Sequence, residues 1–577
     1  MIDSIPRQFM TWAYRKPDRV AYAVPVGEND WKTTTWAEYV AQVRETARAF
    51  MALGLEKGQT VGIMGFNRPQ WTISDLAAMS AAGVPVGVYS TCSADQVAYI
   101  LGHAEARIAV VEDGEVLARI LSVRDALPLL RHVIVMDADS APDGVLTWRA
   151  LAGLAEKVTD QELEARLENL APEDLGTLIY TSGTTGPPKG SMLTHGNLAD
   201  ATEMGGELLP DVLRDDARLL SYLPMAHAAE RALTLLGPSR FGYAVYYADS
   251  MENVSRRLVQ VQPDVFLGVP RVWEKIHARL TEKLEEATGA KARVAAWSRK
   301  VGLEYHRAKA QGESIGIGLR TRYRLASKLL FNRIRAALGL SRAQELLSGA
   351  APLSLEVLEG LASLDLPLRE VYGQTEGSGP TSNNRPGETR WGSVGRPFRG
   401  VEVRIAEDGE ILLRGGNVFK GYFKDPEGTS EVLMGGWLHS GDLGYLDEDG
   451  YLYVTGRKKE ILITAGGKNI SPRNIEEALK GHPLVTEAVV IGDRRRFLSA
   501  LITLDPDATL EPEAAKARIW EHVEAVNRSL SNVEQIKKIA VLPNQFSVDG
   551  GELTPTLKLR RSVIAERYRD EIEEIYA

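Results

Sequence analysis

From Val61 to Val111, short apolar runs (VGIMG, GVPVGVYS, ARIAVVED) alternate with stretches such as WTISDLAAMSAAG and SADQVAYILGHAE. This is the rhythm of β-α units, and it predicts an α/β fold built on a largely parallel sheet with covering helices. No repeat of fixed period and no low-complexity tract interrupts it. Between Trp273 and Leu340 the pattern becomes long and helical. Near Gly456, GRKKEILITAGGKNISP breaks a strand-rich region (GEILLRG, GYLYVTG) with a basic, glycine-containing connection. Beyond it, IEEALKGHPLVTEAVVIGD and RRSVIAERYRDEIEEIYA read as a compact α+β unit of about one hundred residues, a usual domain size. The expected organisation is a large domain over 1–455 with a helical insertion at about 273–340, a hinge at 456–460 and a small α+β domain over 461–577.

Composition narrows the classes. A chain of 577 residues exceeds what one core organises, and 44% hydrophobic with 25% charged residues is ordinary globular composition. The net charge of −9 argues against a duplex-binding surface spread over the molecule, so nucleic acid is not an expected partner. A local surplus runs the other way, with twelve Lys or Arg against two Glu from Lys291 to Arg335. That stretch, with Trp297 and Tyr323, suits anionic lipid or CoA phosphates, or simply a solvated helical face. One cysteine, Cys92, excludes an internal disulfide framework and fits a reducing compartment, and the nine histidines contain no HExxH pair. The N-terminus carries charges and prolines where a signal peptide needs an apolar stretch, and no uninterrupted apolar run reaches about eighteen residues. A soluble cytoplasmic protein is expected, with peripheral contact at the inner face of the membrane and a homodimer both left open.

TLIYTSGTTGPPKGSMLTHGNL, Thr177 to Leu198, begins as an apolar strand and ends in helix-like sequence. Its content suits a triphosphate. Glycines such as Gly183 and Gly186 let backbone N–H groups approach oxygens; Ser182, Thr184 and Thr185 offer hydroxyls, and Lys189 a mobile cation. It is not a Walker A loop, because Gly183, Gly186 and Lys189 fall three apart and Lys189 precedes Gly190. In VYGQTEG, Glu376 can bind a hard cation, Thr375 can hydrogen-bond a phosphate and Tyr372 has a flat face suited to adenine, although alone the segment also reads as a strand end with a solvated Glu. Asp442 in HSGDLG could equally close an Asx-turn, Lys558 in LTPTLKLRR reads alone as a solvated lysine, and His227 in PMAHAAER as a packed core histidine.

YTSGTTGPPKG resembles the signature of the adenylate-forming superfamily, which includes acyl-CoA synthetases, peptide-synthetase adenylation domains and luciferases. Six further segments resemble family motifs in order: LPMAHAAER, SGAAPL, VYGQTEGSG, HSGDLG, GRKKEILITAGGKNISP and LTPTLKLRR. The resemblance spans essentially the whole chain. It implies a large domain of mostly parallel sheets with a barrel-like β region, and a small mobile C-terminal domain. It further implies that Thr181, Ser182, Gly183, Thr185, Gly186 and Lys189 hold the phosphates of ATP and that Thr184 and Glu376 hold Mg²⁺. Thr375 would contact the α-phosphate beside Gly373 and Gln374. Gly349, Ala350, Ala351 and Tyr372 would bracket the adenine, and Asp442, helped by Arg457, would grip the ribose. Lys558 would neutralise charge as the acid's carboxylate attacks the α-phosphate. His227 would shape acyl entry and not act as a base, since a carboxylate is already ionised at pH 7. For transfer to coenzyme A the small domain would rotate about Lys459, with Gly466 and Gly467 along the pantetheine channel.

The superfamily motifs leave the acid open. VQPDVFLGVPRVWEKIHARL, the PMAHAAER form of its motif and the helical insertion before SGAAPLS resemble long-chain acyl-CoA synthetases, so a long fatty acid is expected. A buried acyl tunnel would gain about 0.8 kcal/mol per methylene, which makes chain length a physical selector. The competing expectations are a medium-chain, aromatic or sterol-type acid, a ligase loading a carrier protein, and an idle homologue; the last predicts loss of Lys558 or Glu376, and both are present. One departure from the family pattern is Ser191, where an aliphatic residue is usual.

Overall fold

The computed structural model describes residues 4–181, 187–209, 212, 216–465, 468–506, 512–548, 550–554 and 558–577. The short apolar runs form strands buried on both faces. All residues of Thr60–Met64, Val84–Val88 and Ile108–Val111 are buried, which is the signature of parallel strands covered by helices. They pair in parallel in an eight-stranded sheet that continues through His132–Val135 and Val145–Thr147 on one side and Leu175–Thr181 on the other. A second sheet of nine strands has a parallel centre made of Val20–Val26, Ala244–Tyr247, Arg218–Ser221, Val265–Gly268, Glu345–Ser348 and Arg369–Gln374.

The two sheets meet over the helix Pro69–Ser80, which starts with Pro at its first turn and is buried almost all round. Its Trp71, Leu76 and Met79 join the main core, and its Thr72 hydroxyl hydrogen-bonds the Tyr247 hydroxyl of the second sheet at 2.8 Å. Asp75 on the same helix pairs with buried Arg231 at 2.6 Å, and Arg231 Nη1 also donates to Thr177 Oγ1 at 2.5 Å. Removing either partner of such a pair would leave an uncompensated buried charge. Here the pair ties the sandwiched helix to both the strand Leu175–Thr181 and the helix Ala228–Arg231.

The region expected to be barrel-like is instead an open antiparallel sheet of five strands. Trp437–Leu446 pairs with Glu410–Arg414, Leu433–Met434 and Leu452–Arg457, and Glu402–Ile405 forms an edge. Beyond a 3-10 turn at Lys458–Glu460, the last part of the chain folds around a three-stranded sheet (Val485–Ile491, Leu498–Leu504, Ile536–Leu542) with its own cores. The stretch from residue 270 to 337 is a run of helices, Pro270–Glu285, Gly289–Ala310, Ile317–Ala326 and Asn332–Ala337, with one wide π turn at Ser327–Phe331.

Candidate active site

Strand direction decides where a site can form. In open parallel sheets ligands bind beyond the carboxyl ends of the strands, where chains diverge into loops. Here the carboxyl ends of seven strands from both sheets empty into one cavity of about 1720 Å³. They contribute Gly65–Asn67, Tyr89–Thr91, Thr181, Tyr222–His227, Val269–Arg271, Gly349–Ala351 and Gln374–Glu376 to its lining. The small domain closes one side with Gln545, Phe546, Leu553 and Lys558.

The glycine- and hydroxyl-rich loop lies partly outside the described residues, which exclude Ser182, Gly183, Thr184, Thr185 and Gly186. Its flanks are described. Thr181 ends one strand, Lys189 begins the next, and the two residues pair across an antiparallel ladder. The segment is therefore a hairpin between Leu175–Thr181 and Lys189–Thr194, not a strand-to-helix turn; the helix His195–Leu208 starts only after Thr194, which caps it with Asn197. Ser191 is fully buried within this second strand. Lys189 Nζ lies 2.7 Å from Asp425 and 4.8 Å from the centre of the Tyr422 ring, which holds the cation at the cavity edge.

The strand Arg369–Gln374 delivers the next group. Gly373 needs its missing side chain, because a Cβ there would overlap the Gly379 carbonyl of the neighbouring strand. Past it, a 3-10 turn presents Thr375 and Glu376 to the cavity. Tyr422 donates to Glu376 Oε1 at 2.9 Å, and the Phe419 amide donates to the Glu376 carbonyl at 2.9 Å, so the carboxylate is oriented from the neighbouring sheet. A magnesium ion takes one or two carboxylates and completes its shell with phosphate oxygens and water. One oriented carboxylate beside Thr375 and Lys189 fits that ion. Tyr372 stands behind the lining: it is buried, and its hydroxyl donates to Asp442 Oδ2 at 2.8 Å. The cavity surface along this strand is formed by Val371, Gly373 and Gln374. Opposite them, Gly349, Ala350 and Ala351 line the cavity, with Ala350 held in the left-handed region at φ 70. A non-glycine residue at such an angle is strained backbone that the surroundings must enforce.

Asp442 and Arg457 are cross-strand partners, 3.0 Å apart from Nε to Oδ1, and Asp442 is almost wholly buried. Asp442 is the main cause that holds the Arg457 guanidinium above its ordinary value. Lys459 lies in the 3-10 turn that follows and lines the cavity, whereas Gly466 and Gly467 fall outside the described residues.

Lys558 reaches the cavity with its backbone bonded to Thr554. The Thr554 amide donates to the Lys558 carbonyl at 2.8 Å, and the Lys558 amide donates to Thr554 Oγ1 at 3.0 Å. Three residues on, Arg561 grips Glu476 of the helix Pro472–Lys480, with Nη1 2.6 Å from Oε1. The Lys558 side chain is open to solvent in the cavity yet ringed by protein. That desolvation, then the charges of Arg457 and Arg473, pushes its ammonium down to about 8. His227 caps the helix Ala228–Arg231, its Nδ1 accepting from the Ala229 amide at 3.2 Å. Burial, and secondarily Lys558, pushes its imidazole down to about 4. His227 is thus neutral at pH 7, and the accepting Nδ1 leaves the proton on Nε2.

Beyond His227 the cavity turns apolar. Ala201, Gly205 and Leu208 of the helix His195–Leu208 face Ala232, Leu233 and Leu236 of a π-helical turn, with Phe241 and Tyr243 further in. Sequence reasoning did not find these residues, since they come from separate elements and only packing brings them together. The following Gly237-Pro238 is the one local mark of irregular backbone, and single π turns recur at functional sites.

Residues 9–423 match the family described as AMP-binding enzyme, and 459–577 match the AMP-binding enzyme C-terminal domain. The long-chain-fatty-acid–CoA ligase ACSBG2 of Xenopus laevis is 37% identical, over 99% of this chain and 84% of that protein. The long-chain-fatty-acid–CoA ligase FadD15 of Mycobacterium tuberculosis is 36% identical, over 97% and 95%. Among solved structures, the adenylation domain of a carboxylate reductase from Mycobacterium chelonae shares the fold with a TM-score of 0.77, covering 99% of this chain and 91% of that one at 24% identity. The resemblance carried by the seven motifs is borne out: this chain belongs to the AMP-binding enzyme family.

Proposed function

We propose that the protein activates a long-chain fatty acid with ATP, releasing pyrophosphate to give acyl-AMP, and transfers the acyl group to coenzyme A, giving acyl-CoA and AMP. ATP, Mg²⁺ and coenzyme A are the small molecules this activity uses, and its relatives carry the name long-chain-fatty-acid–CoA ligase over nearly the whole chain. The observation that carries the reading is one cavity with two characters. A polar mouth with Lys189, Thr375, Glu376, Arg457 and Lys558 opens onto an apolar gallery under the helix His195–Leu208.

The chemistry follows from that layout. The fatty carboxylate attacks the α-phosphorus, the bond to the β-phosphate breaks, and pyrophosphate leaves with the electron pair. Negative charge grows where Lys558 stands, and a fixed cation in a partly dry site stabilises it. His227 offers an Nε2–H to the acid's carboxylate and takes no proton. Mg²⁺ would be held by Glu376, with Thr184 expected to join it, and would supply further neutralisation of the phosphates. The Asp442 carboxylate, fixed by Tyr372 and Arg457, accepts from the ribose hydroxyls. The adenine lies between the Gly349–Ala351 backbone and the strand Arg369–Gln374, with Tyr372 backing that slot. In the second step the CoA thiolate attacks the acyl carbonyl and AMP leaves, after the small domain has turned about Lys459 and carried Lys558 away.

The test is an acid panel from four to twenty carbons, with aromatic acids, read as pyrophosphate release with and without CoA. Saturated acids of sixteen to eighteen carbons are expected to turn over fastest, at rates that depend on CoA. An aromatic optimum, or release unaffected by CoA, overturns the assignment.

The basic helices support a membrane contact for the same substrate. Ile317 is 83% exposed and Leu325 50%, and they share the outer surface with exposed Arg320, Arg324 and Lys328. Basic and apolar side chains on one helix surface complement an anionic bilayer, at about 1 kcal/mol per cation near the surface. No helix among the described residues is long and apolar enough to cross a membrane. Sedimentation with vesicles containing phosphatidylglycerol, and not with pure phosphatidylcholine, is the expected outcome, lost in Arg320→Glu/Arg324→Glu. Equal sedimentation of that variant ends the proposal.

A further inference from the structure

Away from the hinge, the small domain touches the large one through a polar cluster on the cavity's flank. Arg271 sits in the first turn of the helix Pro270–Glu285, directly after the strand Val265–Gly268 that ends at the site. Its Nη1 donates to the Thr486 carbonyl of the small domain at 2.8 Å and stands 3.5 Å from Glu487 Oε1. Glu487 is 3.8 Å from Lys480, which in turn lies 2.9 Å from Glu477, so Arg271 plugs into an existing charge network of the helix Pro472–Lys480 and the strand Val485–Ile491. Arg271, Lys480, Thr486 and Glu487 all line the same cavity as Lys558.

We propose that Arg271 is a positioning residue for the first half-reaction, holding the small domain in the orientation that places Lys558 in the nucleotide cavity. The inference rests on the role given to Lys558 above and deepens it. A guanidinium bonded to a backbone carbonyl and paired with a carboxylate reads position sharply, because both partners lie on the first strand of the small domain's sheet. Any rotation about Lys459 that withdraws Lys558 must carry Thr486 and Glu487 off Arg271. The contact therefore exists in one orientation and not the other, and its free energy biases the population between them. The helix that bears Arg271 belongs to the large domain's scaffold, anchored by fully buried Trp273, whose indole N–H donates to Gly268 and Leu347 carbonyls at 3.1 and 3.0 Å. The anchor is rigid on one side and the partner moves on the other.

The experiment measures the two half-reactions separately, as ATP–pyrophosphate exchange with fatty acid and as thioester formation from supplied acyl-AMP and CoA. Arg271→Ala is expected to slow exchange about tenfold, the effect of losing one charge-assisted contact, through kcat and not through KM for ATP. Thioester formation is expected to stay at the wild-type rate or rise. Arg271→Lys, which keeps the charge on a shorter side chain, is expected to recover part of the exchange rate. Glu487→Ala, which removes the ion pair and spares the carbonyl contact, is expected to lose about threefold. A fall of both half-reactions by the same factor, or no change in either, overturns the proposal; melting temperature measured alongside exposes a variant that merely unfolds, and Glu487→Ala then decides. Lys558→Ala run in parallel separates this from the underlying reading. Lost exchange in Lys558→Ala with normal exchange in Arg271→Ala sinks Arg271 alone, whereas normal exchange in Lys558→Ala sinks both.

Discussion

Tyr372 and Asp442 lie seventy residues apart in the chain and meet through one hydrogen bond of 2.8 Å, phenol to carboxylate, inside the wall of the cavity. The tyrosine comes from the nine-stranded sheet and the aspartate from the five-stranded one, so the bond joins two layers beside the proposed nucleotide site. Arg457 holds the other carboxylate oxygen at 3.0 Å. Tyr372→Phe removes one of two clamps and leaves a buried acceptor oxygen short of a donor, at a cost of about 1 kcal/mol. The KM for ATP should rise about fivefold while the KM for the acid and kcat stay near wild type. Initial rates with each substrate varied in turn check this, and an effect on the acid's KM instead would contradict the ribose role of Asp442.

Lys558 gives a pH dependence with a definite sign. In the proposed role its ammonium is the useful form, and desolvation with Arg457 and Arg473 brings it down to about 8. The kcat/KM for ATP in the exchange reaction reports the free enzyme, and it should be flat below pH 8 and fall above it as the proton leaves. Lys558→Arg keeps a cation over the whole range and should lose this alkaline limb, whatever its absolute rate. A limb that survives the substitution belongs to another group.

Glu230 sits in the same motif as His227 but is not among the residues that line the cavity. It is fully buried, and its Oε1 accepts from Ser221 at 2.7 Å, Thr234 at 2.7 Å and Asn67 at 3.1 Å. Burial pushes its carboxyl up to about 7 despite those bonds. A folded-state value above the unfolded one means that the group's contribution is fully present below about pH 4.5 and is lost as pH rises through 7. Glu230→Gln removes that loss, so the variant should gain on the wild type by at most about 3 kcal/mol between pH 5 and pH 8. Melting curves at both values decide it; a gap that does not change with pH would mean that the carboxyl ionises elsewhere.

The apolar gallery can be shortened from one position. Gly205 lines it, and a side chain added there meets nothing within 4 Å. Gly205→Phe should fill the gallery without disturbing the helix His195–Leu208. Each methylene left outside forfeits about 0.8 kcal/mol, so the preferred acid should become shorter by several carbons while kcat on the new optimum is retained. Competition between acids of eight to eighteen carbons gives the answer, and an unchanged preference would place the acyl chain elsewhere.

Much of this was legible in the sequence because motif residues act where the backbone puts them. Thr375, Glu376 and Gly349 follow strands by one or two positions and Lys189 opens one, so the strand rhythm and the motif together locate them at strand ends. What could not be read depends on distance along the chain. Tyr422 orients Glu376 from a two-residue strand 46 positions away, and nothing in local spacing marks it. Arg271, the gallery walls and the antiparallel pairing of Thr181 with Lys189 share that origin, because pairing between strands and packing between helices are not encoded in a window of a few residues.

Lys558 rides on a buckle: two hydrogen bonds to Thr554 close its loop, and the grip of Arg561 on Glu476 rivets the loop to a helix. Such a mounting fixes where the Lys558 backbone stands against the helix Pro472–Lys480, while the four-carbon stem still turns. On the proposed cycle the Lys558 backbone travels with a C-terminal lobe of more than a hundred residues, so viscous drag on that lobe enters the turnover time and a thicker medium should slow the cycle with every bond-making step untouched.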